Sequence, residues 1–184
     1  MQKSNIYFIG FMGTGKSTVG PIVANSIDYN FFDLDKEIEK RTNLCIVSIF
    51  EQYGEKYFRE LEHEILKELI KENKKLVLSL GGGTVKNLTN VELLKKTGII
   101  INLYADIDTL VERLSRKKTR PLLLDENGEL LHKEILKEKI RNMLSEREKY
   151  YQLADYHIKS EEKLAATVDK IVRIIEEKIF NGKN

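Results

Sequence analysis

The chain has a single cysteine, Cys45, among 184 residues. One thiol cannot close an internal disulfide, so cysteine usage gives no sign of export. Three histidines, His63, His132 and His157, stand far apart without ligand spacing, which argues against a transition-metal site. Charge of one sign is also scarce: the formal net charge is +2 although 33% of residues are charged. That balance argues against a nucleic-acid binder, which needs a concentrated basic surface. No apolar run approaches 18 residues, and the first residues lead straight into a strand with no signal-peptide pattern. A soluble, cytoplasmic protein with no membrane or nucleic-acid partner is the expectation. Repeats and low-complexity segments are missing, and the length suits one domain, 1–184.

Glycine numbers eleven in the whole chain, yet four lie in "GFMGTGKSTVG", Gly10 to Gly20. Gly10, Gly15, Lys16 and Ser17 fit the pattern G-x-x-x-x-G-K-[ST]. Glycines let successive N–H groups point into one hollow. A helix starting near Lys16 aims its N-terminal dipole at the same place. Lys16 supplies a mobile positive charge for the outer phosphates of a nucleotide, and Ser17 a hydroxyl for magnesium. "NIYFIG" before the motif reads as a buried strand. "STVGPIVANSI" after it reads as a helix with Val19, Ile22, Val23 and Ile27 on one side. Pro21 lies inside that helix, where a local kink is expected.

Strands and helices alternate along the rest of the chain. "NFFDLD", Asn30 to Asp35, reads as a second strand ending in two acids. Helical sequence follows, broken near Thr42–Asn43 and again near Gly54. "EKYFRELEHEILKELIKE" then carries Phe58, Leu61, Ile65, Leu66 and Leu69 on one face. Lys75 to Gly83 is a third strand running into glycines, and Gly98 to Ala105 a fourth, apolar enough to be buried on both faces. "RKKTRPLLLDENGEL", Arg116 to Leu130, breaks the alternation and reads as a flap. A long helix follows from about His132 to Tyr151, then a short strand, "YHIK", and a C-terminal helix. The expected class is α/β, a mostly parallel sheet between two layers of helices. Ligands in such sheets bind beyond the carboxyl ends of the strands, where the phosphate loop, Asp33 and Asp35, and Gly81 to Gly83 all fall.

The residues outside the loop leave more than one reading open. Asp33 and Asp35, two apart in an extended segment, point the same way and would suit magnesium and an acceptor alcohol; Asp35 could instead cap the next helix. Arg59 and Glu62, neighbours on a helix, could present a guanidinium to a carboxylate. On spacing alone an ordinary solvated ion pair is the better reading, and the same holds for Arg147. Gly81, Gly82 and Gly83 offer bare backbone to a ligand, or simply a flexible turn.

Taken together, "GFMGTGKSTVG", "FFDLDKEIEKRT", "IFEQYGEKYFRELE", "SLGGGTV" and "TRPLL" resemble the shikimate kinase family over nearly the whole chain. The resemblance implies a phosphate-loop kinase fold related to the nucleoside monophosphate kinases, with a five-stranded parallel sheet in the order 2-3-1-4-5. It implies an acceptor region at about 34–62 and a lid at about 113–130. The implied reaction is transfer of a phosphoryl group from ATP, with one magnesium ion, to the 3-hydroxyl of shikimate. The products are shikimate 3-phosphate and ADP, on the route to chorismate and the aromatic amino acids.

By the same resemblance Gly13, Thr14, Gly15, Lys16, Ser17 and Thr18 hold the ATP phosphates, with Ser17 and Asp33 at the metal. Asp35 binds the acceptor hydroxyls, Arg59 and Arg147 grip the carboxylate, and Glu62 steadies the arginines. Gly82, flanked by Gly81 and Gly83, meets the ring hydroxyls; Phe50 and Phe58 pack the ring. Lys16, Asp35 and Arg120 are the catalytic set. Adenine contacts are implied for Arg116 and for Lys163, which stands where the family can offer an arginine. Leu34 replaces a small polar residue, and Thr84 follows the glycines where alanine is frequent. The alternatives are another small-molecule kinase of this fold, such as a gluconate kinase, and a nucleotide-binding regulator with little hydrolysis. A monomer is expected.

Overall fold

The computed structural model describes residues 4–115, 131–160 and 163–180. Within them the apolar runs form five parallel strands: β1 Asn5–Ile9, β2 Asn30–Asp33, β3 Leu76–Ser79, β4 Gly98–Tyr104 and β5 Tyr156–Lys159. Their order across the sheet is β2-β3-β1-β4-β5, as the resemblance implied. β1 lies in the middle, Tyr7 opposite Leu78 on one side and Ile100 on the other.

Side chains alternate across a strand, and here both faces are covered. Ile6 and Phe8 of β1 join Val77, Ile99 and Ile101 under α1 (Lys16–Ser26) and α7 (Leu164–Ile175). Tyr7 and Ile9 face the other way. They join Leu76, Leu78 and Ile100 beneath α2 (Leu34–Thr42), α3 (Ile46–Glu72), α4 (Leu88–Thr97), α5 (Ile107–Ser115) and α6 (Lys133–Tyr151). Tyr7 carries a polar group into this core. Its hydroxyl lies 2.7 Å from Thr97 Oγ1 and accepts from Asn5 Nδ2 at 3.0 Å, while Asn5 Oδ1 accepts from the Leu76 amide. This cluster ties β1, β3 and α4 together at the amino ends of the strands. Burial pushes the Tyr7 phenol up to about 12.

Several expectations are corrected. β2 ends at Asp33, not at Asp35, because the Asp33 side chain caps α2 by accepting from the Lys36 amide. The two acids therefore do not share an extended segment: Asp35 sits in the first turn of α2, and the cap is Asp33. Ile22 is exposed, so the buried stripe of α1 is Val19, Gly20, Val23 and Ala24. α1 is continuous through Pro21. β3 stops at Ser79, and the glycines that follow form a turn outside the sheet. α4 was not anticipated. α3 bends at Gly54, whose φ of 80° and ψ of 171° lie in a region that only glycine occupies readily.

Candidate active site

The carboxyl ends of β1, β2 and β3 meet at one edge of the sheet. After β1 the chain enters the phosphate loop, where Gly13 and Gly15 take positive φ values of 82° and 96°. Gly15 is the left-handed residue that starts α1. The Thr18 and Val19 amides close the first turn of α1 onto the Gly15 carbonyl at 2.9 and 2.8 Å, and that turn holds no acidic residue to offset the positive end of the helix dipole. The loop thus presents a positive helix end. Gly10 packs so closely on the Leu103 carbonyl of β4 that a methyl group there would collide with it. Thr14 is buried, its hydroxyl donating to the Phe11 carbonyl at 2.8 Å. Lys16 Nζ donates to the Gly10 and Phe11 carbonyls at 2.7 and 3.1 Å, which holds the ammonium across the loop. Ser17 and Thr18 are exposed in the first turn of the helix.

The fourth glycine of the motif has a different task. A methyl on Gly20 would run into the ring of Phe31. Close approach of α1 to β2 follows, and β2 ends at Asp33. Asp33 Oδ2 accepts from Ser17 Oγ at 2.7 Å. A hydroxyl and a carboxylate oxygen side by side at the mouth of the loop are hard oxygen donors, the kind magnesium takes.

The glycine turn after β3 forms the second half of the site. Each glycine is covered by a different charged group. A methyl on Gly81 would lie 2.8 Å from Asp35 Oδ1, on Gly82 2.6 Å from Arg147 Nη1, and on Gly83 2.5 Å from Arg59 Nη2. Only residues without a side chain leave room for this approach. Arg59 Nη1 donates to Glu62 Oε2 at 2.9 Å, and Glu55 accepts from the other side of the guanidinium at 3.3 Å. The Glu62 side chain is only 2% exposed, so this is no solvated surface pair. The guanidinium of Arg59 lies 5.0 Å from the centre of the Phe58 ring, and Phe50 stacks on Phe58 with ring centres 4.6 Å apart. Phe58 is 3% exposed, so it serves as the floor under Arg59 and Phe50. Arg147 lies 5.6 Å from the Phe11 ring of the phosphate loop, and the Tyr151 hydroxyl stands near Gly82. Burial raises the Tyr151 phenol above its ordinary value, while the charge of Arg147 pulls it back.

Sequence reading missed Arg113. It donates to the Gly13 carbonyl at 3.2 Å and to Ser160 Oγ at 3.0 Å, joining α5 and the end of β5 to the phosphate loop. In "VERLSRKK" nothing sets it apart from the other basic residues. Lys163 precedes α7 three residues after Ser160 and is exposed. Arg116, Arg120 and nearly all of the expected lid lie outside the described residues. A cleft of about 460 Å³ opens on the outer side of α2 and α3, lined in part by Arg41, Tyr53, Tyr57 and Glu68. None of its lining residues belongs to the constellation just described.

Two cations and a carboxylate therefore gather over the bare backbone of the glycine turn, and one of the cations, Arg147, also reaches the Phe11 ring beside the phosphate loop. Comparison with known proteins agrees. Residues 12–176 match the family model described as "Shikimate kinase". A shikimate kinase from Chloroherpeton thalassium is 40% identical over 181 residues, 97% of this chain and 96% of that protein. One from a Sulfurihydrogenibium species is 41% identical, covering 95% and 97%. The solved structure of a shikimate kinase from Acinetobacter baumannii in complex with shikimate superposes with a TM-score of 0.82 at 37% identity, covering 96% of this chain and 94% of that one. A gluconokinase from Sinorhizobium meliloti reaches a TM-score of 0.55 at 15% identity, a likeness of fold alone.

Proposed function

The chain belongs to the shikimate kinase family, whose members phosphorylate shikimate with ATP, and from that premise we propose how its own residues divide the work. Shikimate lies over Gly81 to Gly83, its carboxylate held by Arg59 and Arg147 and its 3-hydroxyl oriented by Asp35. The observation that carries this reading is the placement of one charged group over each glycine. A guanidinium fork fits a carboxylate with two parallel hydrogen bonds. Phe50 and Phe58 form an apolar wall beside Arg59.

ATP is the phosphoryl donor, its phosphates resting on Gly13 to Thr18. Lys16 turns from the loop carbonyls to the outer phosphates. Ser17 and Asp33 would hold magnesium, which when bound supplies positive charge beside those phosphates. Asp35 orients the attacking hydroxyl; the loose transition state of phosphoryl transfer asks little of a base. The gain lies in position and in charge neutralisation. For Arg120 the assignment to the moving phosphoryl group rests on the family resemblance alone, as do the lid at 113–130 and adenine contacts for Arg116 and Lys163. The protein acts as one kinase domain, with 34–62 as the acceptor region. A cytoplasmic monomer completes the reading; no described helix is long and apolar enough to cross a membrane.

The test is an ADP-release assay coupled to NADH oxidation, run with shikimate, gluconate and nucleoside monophosphates as acceptors. Turnover with shikimate only is the expected result. Faster turnover with gluconate would replace the acceptor assignment and leave the ATP half standing.

A further inference from the structure

Thr84 follows the glycine turn and takes no part in the site as so far described, yet it is fully buried. Glu62 of α3 and Asn90 of α4 hold it. Its hydroxyl donates to Glu62 Oε1 at 2.6 Å. Its carbonyl accepts from Asn90 Nδ2 at 3.0 Å, and Asn90 Oδ1 meets His63 Nδ1 at 2.5 Å. Its amide closes the turn onto the Gly81 carbonyl at 3.2 Å. Glu62 thus spends one oxygen on Thr84 and the other on Arg59. A buried carboxylate is held in one rotamer when both oxygens are engaged, and losing a partner there is costly. The line Thr84–Glu62–Arg59 therefore starts at the turn beneath the acceptor and ends at the guanidinium above Gly83.

We propose that Thr84 is a positioning residue: its hydroxyl fixes Glu62, and through Glu62 sets the guanidinium of Arg59 for the acceptor's carboxylate. The proposal rests on the assignment of Arg59 to that carboxylate. Alanine or valine at this position would leave Glu62 Oε1 without the Thr84 hydroxyl inside a closed space. Arg59 would then be held from one end of a loosened carboxylate. Glu55 could not replace this restraint, because it is itself exposed.

The test compares Thr84→Val with Thr84→Ser, each alone and in the Arg59→Ala background, by steady-state kinetics and thermal melting. Thr84→Val should raise KM for shikimate about tenfold, with kcat and KM for ATP changing less than about twofold. Thr84→Ser should restore most of the loss. In the Arg59→Ala background Thr84→Val should add nothing, because the two act as one unit. With a shikimate analogue whose carboxylate is reduced to an alcohol, the penalty of Thr84→Val should vanish. Should Thr84→Val fail to fold, Thr84→Ala against Thr84→Ser gives the same comparison. Unchanged KM in Thr84→Val, with Arg59→Ala strongly impaired, would overturn the role of Thr84 and leave the carboxylate assignment intact. Equal weakening of both substrates in Thr84→Val would make the residue merely structural. Unchanged KM in Arg59→Ala would remove the carboxylate assignment and this inference together.

Discussion

Lys16 shows how one residue can be both prepared and held back. Its ammonium stands on the Gly10 and Phe11 carbonyls, and on the proposed role it would exchange those acceptors for the outer phosphates of the nucleotide. Lys16→Ala should lower kcat by about a hundredfold or more, the scale for losing one group that meets transition-state charge. The melting temperature should change little, which a thermal scan checks. Arg59 is a different case. Its side chain is about 30% exposed, so water screens part of its charge. Arg59→Ala should raise KM for shikimate by an amount near the low end of the usual 2–5 kcal/mol for a desolvated pair, about 2 kcal/mol or thirtyfold. KM for ATP should hold. Calorimetric titration with each substrate separates the two effects; equal weakening would make Arg59 a structural residue. The sequence could not rank Arg59 above any charged helix residue, because what sets it apart is burial of Glu62 and the approach of Gly83, 24 positions away in the chain.

At the scale of elements, the apolar strands and the amphipathic second half of α3 were plain from periodicity, and so was the break at Gly54. Boundaries controlled by side-chain capping were not. "FFDLD" looks like a strand to its end, but the Asp33 carboxylate finds the Lys36 amide and starts α2. α4 was missed because "LTNVELLKKT" buries little more than Val91 and Leu94 among its apolar residues, too weak a stripe to read. Gly20 falls, as read, in the helix after the loop, and the structure adds that it makes the contact between α1 and β2. Gly20→Ala should therefore cost about 1–3 kcal/mol, the range for overpacking a filled interface. It should also weaken turnover, since Phe31 stands two residues before Asp33. Urea unfolding measures the first effect. Pairing it with Phe31→Leu should recover part of the loss; no recovery would place the strain elsewhere.

For the molecule as a whole, the end of the sheet away from the site is fastened by Asn5, Tyr7 and Thr97. The folded protein keeps the Tyr7 phenol neutral to about 12, whereas an unfolded tyrosine ionises near 10. Between those values the unfolded chain has lost a proton that the folded one retains, so stability falls as pH rises. The loss attributable to Tyr7 should approach about 2–3 kcal/mol by pH 12 and be absent below pH 10. Tyr7→Phe should be less stable at neutral pH, because Asn5 and Thr97 lose a partner, and should show a shallower decline between pH 10 and 12. Chemical unfolding at stepped pH reads both. Order of synthesis adds a further consequence of the central position of β1. The strand that leads into the phosphate loop is made first, but its neighbours β3 and β4 end at residues 79 and 104. At about 5–20 residues per second, β1 waits roughly 5 to 20 seconds for β4 to be made. Until then the Leu103 carbonyl against which Gly10 rests has not been made, and the loop after β1 lacks one of the walls that shape it in the finished fold.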